Sequence, residues 1–177
     1  PTQLLEDTEL FSHWQAGAYK PYTTKELIDL IADIKPRIPP YCRVNRVIRD
    51  IPSTHVVEGN KHTNLRQDVF KELERRGEVC RCVRCREVRG EKVQPDMLRM
   101  VDEVYHPAYA EEHFLSYVTP DDKLAGYLRL SLPTADAPQT GMADLDGAAL
   151  IREVHVYGQS VEVGEAREGA AQHIGLG

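Results

Sequence analysis

Three cysteines fall within six residues, Cys80, Cys82 and Cys85, in the run Cys80-Arg81-Cys82-Val83-Arg84-Cys85-Arg86-Glu87-Val88. Thiolates are soft ligands, and this spacing supplies three of them from a single turn of chain. Zinc takes four tetrahedral ligands, so the fourth must come from elsewhere. Cys42 is the best candidate by softness, and His55 and His62 come next. A closed site of this kind is structural and would pin the segment around Cys42 to the loop around Cys82. The plain alternative is a set of free buried thiols. An iron–sulfur cluster ranks below zinc, because one ligand is distant. The chain has only four cysteines, and three lie too close together for a disulfide framework. In a reducing compartment such clustering favours metal.

Arg81, Arg84, Arg86 and Arg89 are laced through the same run and cannot all be buried. The guanidinium suits forked contacts with phosphate. With Arg43, Arg46, Arg49 and Arg66 they would form one patch if a metal joins the two segments, and such a patch reads nucleic-acid backbone rather than bases. From Lys35 to Lys92 there are 15 Lys and Arg against 8 Asp and Glu, a net of +7, while the rest of the chain carries −13. A polyanion partner explains a basic island between acidic flanks; a solvated basic face explains it equally well.

A second group lies at the end of the chain, Gln172-His173-Ile174-Gly175-Leu176-Gly177. A glycine-rich turn entering a helix points backbone N–H groups at a phosphate. The strand Ile151-Arg152-Glu153-Val154-His155-Val156-Tyr157 precedes it. His155 is a candidate general base, although a strand histidine with a structural hydrogen bond is the commoner case. Glu153 either polarises a substrate or satisfies Arg152.

The elements that must position these groups follow from pattern. Residues 7–16 form a short helix stopped by Gly17, and Thr24 caps a helix to about Ile34 with Leu27, Leu30, Ile31 and Ile34 on one stripe. Pro36, Pro39 and Pro40 end it. Val44, Val47, Ile48 and Ile51 alternate with arginines, and periodicity leaves strand and helix open. Thr63 or Asn64 caps a helix through Arg76, with Leu65, Val69, Phe70 and Leu73 inward and Gly77 as terminator. Beyond Pro95 the pattern is strands: 112–119 and 123–132 as a hairpin around Pro120-Asp121-Asp122, a loop over 133–148, then 150–157 and 160–163. Residues 97–105 fit helix or strand.

Taken together these residues resemble the family of the Elongator catalytic subunit, the radical-SAM tRNA uridine acetyltransferases. The matching stretches are Cys42 to Pro52, Asn64-Leu65-Arg66, Cys80 to Val88, Val93-Gln94-Pro95, His113 to Tyr117, Arg152 to Gly158 and Gln172 to Gly177, in family order. The resemblance implies an α+β fold in three parts: the tail of a radical-SAM α/β barrel over 1–40, a zinc-binding basic linker over 41–95, and the N-terminal half of a GNAT acetyltransferase sheet over 96–177. It also implies tRNA as partner, with acetyl-CoA, zinc, S-adenosylmethionine and a 4Fe–4S cluster as cofactors. Glu153, Val154, His155 and Val156 would touch acetyl-CoA, as would Gln172, Gly175, Leu176 and Gly177. The cluster's own cysteines are not in this chain. In the family's chemistry a deoxyadenosyl radical activates the acetyl methyl, which adds to C5 of the wobble uridine, and thioester hydrolysis yields carboxymethyluridine. Retention of the cysteine set suggests a bacterial or archaeal source.

The bulk properties agree with such an enzyme. No apolar run approaches the roughly 20 residues of a membrane span, and no secretory signal is visible, so the cytoplasm is expected. Because the chain opens at Pro1 and stops inside a glycine-rich turn, it is expected to be a segment of a longer protein. A homodimer or a larger assembly stays open. Two further functions compete: a protein lysine acetyltransferase, and a non-catalytic zinc-stabilised tRNA-binding module.

Overall fold

Proline and glycine punctuate the first half of the chain, and β-branched and aromatic residues alternate through the second. A computed structural model, which describes residues 3–47, 51–158 and 162, follows that division in two units, Pro1–Arg84 and Cys85–Gly177. The first unit holds β1 (Gln3–Leu5), α1 (Glu9–Gln15), α2 (Thr24–Ile34), β2 (Val56–Gly59) and α3 (Leu65–Arg76). A single helical turn, α4 (Val83–Arg86), lies where the units divide. The second unit is an antiparallel sheet of β3 (Arg99–Tyr105), β4 (Ala110–Val118), β5 (Leu124–Pro133) and β6 (Leu150–Val156). Its order is β3-β4-β5-β6.

In the first unit α2 starts from a capping box. The Thr23 hydroxyl accepts from the Glu26 N–H at 3.2 Å, and the Glu26 carboxylate accepts from the Thr23 N–H at 2.7 Å. The cap is therefore Thr23, one residue before the expected Thr24. α3 ends where Gly77 takes φ +67°, a left-handed conformation that costs glycine little. Leu65, Val69 and Leu73 are fully buried on α3, as expected. Each contributes roughly 1.5–3 kcal/mol relative to exposure.

The expected stripe of α2 is corrected. Leu27 is buried, but Leu30 and Ile34 are 42% and 48% exposed, and Ala32 is the second buried residue. The reason is electrostatic. Arg76 of α3 reaches Asp29 at 3.3 Å and also pairs with Asp33 and Glu72, which turns the Asp29–Asp33 side of α2 toward α3. Bonds from Arg75 and Arg76 hold the Glu72 carboxyl down at about 2. Asn60, fully buried, ties three elements: it accepts from Gln3 and Thr24 and donates to the His62 carbonyl. The stretch 43–47 is neither strand nor helix; Ile48, Arg49 and Asp50 lie outside the described residues.

In the second unit residues 99–105 settle as strand. The hairpin is as expected, with Asp122 at φ +66° in its turn. Cross-strand register puts Tyr105, Glu112, Phe114, Tyr127, Arg129, Glu153 and His155 on one face. The opposite face carries His113, with Met100, Val104 and Val154 left exposed. Val88, Val93 and Ala125 form a small core with Leu98, Val156 and Tyr157 packed on it. Gly126 is needed where β5 meets β6, since a Cβ there would lie 3.0 Å from the His155 carbonyl oxygen. The expected strand over 160–163 falls almost wholly outside the described residues. Among the described residues no helix is long and apolar enough to cross a membrane.

Two outcomes test these packing arguments. Leu73→Ala should lower the unfolding free energy by about 2–4 kcal/mol in urea titration. His113 bonds to Asp102 at 2.8 Å and to Glu111 at 3.2 Å, and both contacts raise its pKa. Its contribution is therefore full below about pH 6.5 and fades as pH rises through the folded value. The stability gap between the parent chain and His113→Gln should be widest under mildly acidic conditions and close at alkaline pH.

Candidate functional site

The cysteine loop follows α3 directly. Cys80 and Cys82 are buried and Cys85 is half-buried. No disulfide joins any of the four cysteines. The sulfur atoms of Cys80, Cys82 and Cys85 all lie within 4.8 Å of one another. A tetrahedral zinc with bonds of about 2.3 Å sets its sulfurs about 3.8 Å apart, which that spacing admits. Two bare thiolates at such separations repel by roughly 3–5 kcal/mol at an effective dielectric near 20, so the set ionises together only around a cation. The donor set fits zinc.

Cys42 does not enter the group of three, and neither do His55 or His62. His62 faces Asp68 instead, at 3.6 Å. The main chain nevertheless brings Cys42 to the loop: its carbonyl accepts from the Val83 N–H at 2.9 Å. The residue after Cys82 is thus bonded directly to the segment that carries Cys42, Arg43 and Arg46.

The arginines separate by environment. Arg43, Arg46, Arg81 and Arg89 are exposed, and Arg43 donates to Asn45 at 3.1 Å. Arg66 is half-buried over the Phe70 ring, 5.3 Å from its centroid. Arg84 is half-buried, with its Nε enclosed and without a hydrogen-bond partner among the described residues. Arg86 corrects the expectation of a wholly phosphate-facing set. It is 7% exposed and pairs with Asp122 at 3.1 Å, because a buried guanidinium needs a carboxylate more than a distant phosphate. Arg49 lies outside the described residues.

On β6 the candidate residues sit in a network that sequence reasoning missed. Glu153 accepts from the Tyr127 hydroxyl at 2.7 Å and from Arg129 Nε at 2.9 Å; of the two roles open to it, satisfying Arg152 is excluded, since its partner is Arg129. Arg152 pairs with Glu112, which is 2% exposed, at 2.7 Å. Arg129 also donates to the Tyr105 hydroxyl at 3.1 Å and rests over the Phe114 and Tyr127 rings. Burial pushes the Glu153 carboxyl up, but the bonds from Tyr127 and Arg129 outweigh it and hold its pKa below the usual carboxylate value. His155 stacks on Tyr127 and Tyr157 and keeps Nε2 at 3.2 Å from Glu153. A signal was available: Tyr127 with Arg129, and Glu153 with His155, are i, i+2 pairs on strands.

Val154 is exposed and Val156 half-buried. Gln172, Gly175, Leu176 and Gly177, the expected anion turn, lie outside the described residues. A cavity of about 490 Å³ under the 134–149 loop is lined by Tyr109, Pro133, Leu145 and Leu150 among others. Its only charged group among the described residues is Asp146, engaged by Thr140 at 2.7 Å, so those residues offer a polyphosphate no counter-charge.

Comparison with known proteins places this geometry. The Radical_SAM C-terminal domain matches residues 1–75. The chain is 41% identical to the tRNA uridine(34) acetyltransferase of Dehalococcoides mccartyi over all of its own length and 39% of the relative's. It is 38% identical to the Elongator complex protein 3 of Bos taurus, again over its whole length and 33% of that protein. The solved structure of archaeal Methanocaldococcus infernus Elp3 with an N-terminal deletion superposes with a TM-score of 0.83 at 35% identity, covering 99% of this chain and 42% of the other. The chain thus spans about two fifths or less of the length of these relatives. Bacterial and animal relatives match almost equally well, so identity does not choose a source. With its α+β fold and its full-length match to both groups, the chain belongs to the family of the tRNA uridine(34) acetyltransferases and Elongator complex protein 3.

Proposed function

We propose that the chain serves in a cytoplasmic tRNA-modifying acyltransferase that builds a carboxymethyl group on C5 of the wobble uridine, with acetyl-CoA as donor. The observation that carries this reading is the match along the whole chain, at 41% identity, to a protein named tRNA uridine(34) acetyltransferase. Residues 1–40 would be the tail of the radical-SAM domain, and the match over 1–75 supports that assignment and extends it along the chain. Residues 41–95 would be the zinc-bearing basic linker and 96–177 the N-terminal part of the acetyltransferase. S-adenosylmethionine and its 4Fe–4S cluster would supply the radical. A homodimer or a larger assembly fits the naming of relatives as part of a complex.

Each part of the chain has a task in this scheme. Cys80, Cys82 and Cys85, with Cys42 rotating in as fourth ligand, would hold a structural zinc and stiffen the loop. Arg43, Arg46 and Arg81, exposed on segments joined by the Val83–Cys42 bond, would take tRNA phosphates. Glu153 to Val156 would line the acyl arm of the donor, and Gln172 to Gly177 its pyrophosphate. The lysine-acetyltransferase reading is not favoured. Its base would be Glu153, whose carboxylate is already engaged twice and whose pKa is held down. The non-catalytic module leaves that network without a purpose.

Two measurements test the scheme. Metal analysis of the purified protein should find about one zinc per chain, Cys82→Ser should abolish it, and Cys42→Ser should weaken retention against a chelator. A metal-free protein with four titratable thiols would remove the zinc. Binding to tRNA should weaken steeply with salt. The triple variant Arg43→Ala, Arg46→Ala, Arg81→Ala should reduce the log–log salt slope by about one per arginine, while Arg86→Met leaves it unchanged. Equal slopes for all three proteins would dissolve the proposed interface.

A further inference from the structure

The three sulfur ligands do not reach their site on equal terms. Cys80 and Cys82 belong to a stretch without regular structure, whereas Cys85 stands in the helical turn α4, directly before Arg86. Arg86 is 7% exposed, and its Nη1 donates to Asp122 Oδ1 at 3.1 Å. Glu87 then bridges Leu124 in parallel register. The Val88 N–H donates to the Leu124 carbonyl at 3.1 Å, and the Val88 side chain is buried in one core cluster with Val93 and Ala125. Within three residues of Cys85 the chain is fastened to the start of β5 by a charge pair, a backbone bond and a core contact.

The carboxylate that holds Arg86 is fixed in its turn. Asp122 takes φ +66° in the β4–β5 hairpin, and its N–H donates to the Thr119 carbonyl at 3.0 Å. The Thr119 N–H donates to the Lys123 carbonyl at 2.9 Å, and the Thr119 hydroxyl accepts from the Lys123 N–H at 2.9 Å and donates to Asp121 at 2.6 Å. The hairpin therefore presents Asp122 from a closed turn. A guanidinium buried beside it cannot swing away without giving up the carboxylate that offsets its desolvation.

We infer that Arg86 and Asp122 are positioning residues of the sulfur site: their pair anchors the turn that carries Cys85 to the hairpin and so presets Cys85 for a metal ion. This rests on the proposed zinc at Cys80, Cys82 and Cys85. Neither residue touches the metal. Their effect is to meet on folding an ordering cost that would otherwise fall on metal binding. Partners that orient a ligand from outside the coordination shell are typically worth about 10–100-fold in metal affinity. Linkage makes the effect reciprocal, so a metal on Cys85 also steadies the bond from Val88 to Leu124.

The test is chelator competition on the purified native protein, with urea unfolding of the metal-free form beside it. Asp122→Asn keeps a residue that tolerates positive φ and removes the charge. Asp122→Asn and Arg86→Met should each weaken zinc retention by about tenfold or more, and Arg86→Lys should recover part of the loss. Cobalt(II) at saturation should still show sulfur ligation in both single variants, because all three thiols remain. The double variant Arg86→Met, Asp122→Asn removes both charges together, so its unfolding midpoint should return close to the parent's while its zinc retention stays weak. In the parent, removing zinc should speed hydrogen exchange of the Val88 amide. Lys123→Gln, which loses only the 3.8 Å pair with Glu91, should hold zinc as the parent does. A parent protein without zinc would end the zinc reading and this inference with it. If the parent holds zinc and the single variants hold it equally tightly, the zinc reading stands and the positioning role is overturned. Recovery of stability and zinc retention together in the double variant, or an equal loss in Lys123→Gln, would also overturn that role.

Discussion

Three sulfur atoms within 4.8 Å of one another can be neutral thiols or metal ligands, but not free thiolates. Mutual repulsion of several kcal/mol per pair forbids the last state without a cation. That constraint governs the linker region. The chain leaves α3 at Gly77 and enters a loop whose buried residues, Cys80, Cys82 and Val83, provide little apolar surface. A metal cross-link would supply the rigidity that so small a core cannot. The hydrogen bond from Val83 to the Cys42 carbonyl sets that loop beside the segment of Arg43 and Arg46, so stiffening the sulfur site also stiffens a cationic strip.

The second unit solves a different problem. Its sheet buries charge on one face, with Glu112 2% exposed and Arg129 mostly enclosed. Buried charges are tolerated only when paired and hydrogen-bonded. Here the pairings form a row: Arg152 with Glu112, Arg129 with Glu153, and the Tyr105 and Tyr127 hydroxyls placed between strands. The row is costly to disturb and therefore stiff.

Much of the architecture was legible in residue order, and the exceptions have physical causes. The α3 helix, its glycine stop and the β4–β5 hairpin follow from periodicity and turn chemistry alone. The stripe on α2 misled, because Arg76 lies 43 residues from Asp33 and turns the helix by an ion pair that no local pattern encodes. The 43–47 stretch alternates valine with arginine yet adopts neither regular form; the long-range backbone bond nearest to it is made by Cys42, the residue before it. Arg86 looked like its neighbours until Asp122, in the hairpin turn, claimed it. Arg152 was one of two answers open for Glu153, but neighbours on a strand usually point apart, and even where a bulge interrupts the β5–β6 register the partner is Arg129 on the adjacent strand.

Residue type and short-range spacing by themselves determined the cysteine cluster, the basic island, the glycine stop of α3 and the family, because those depend on chemistry carried within a few residues or on long matching strings. Which arginines remain available and which partner Glu153 takes were decided only in three dimensions. Those outcomes depend on competition among charged groups distant in sequence, and the winner is the contact that the packed strands and helices bring within hydrogen-bond reach.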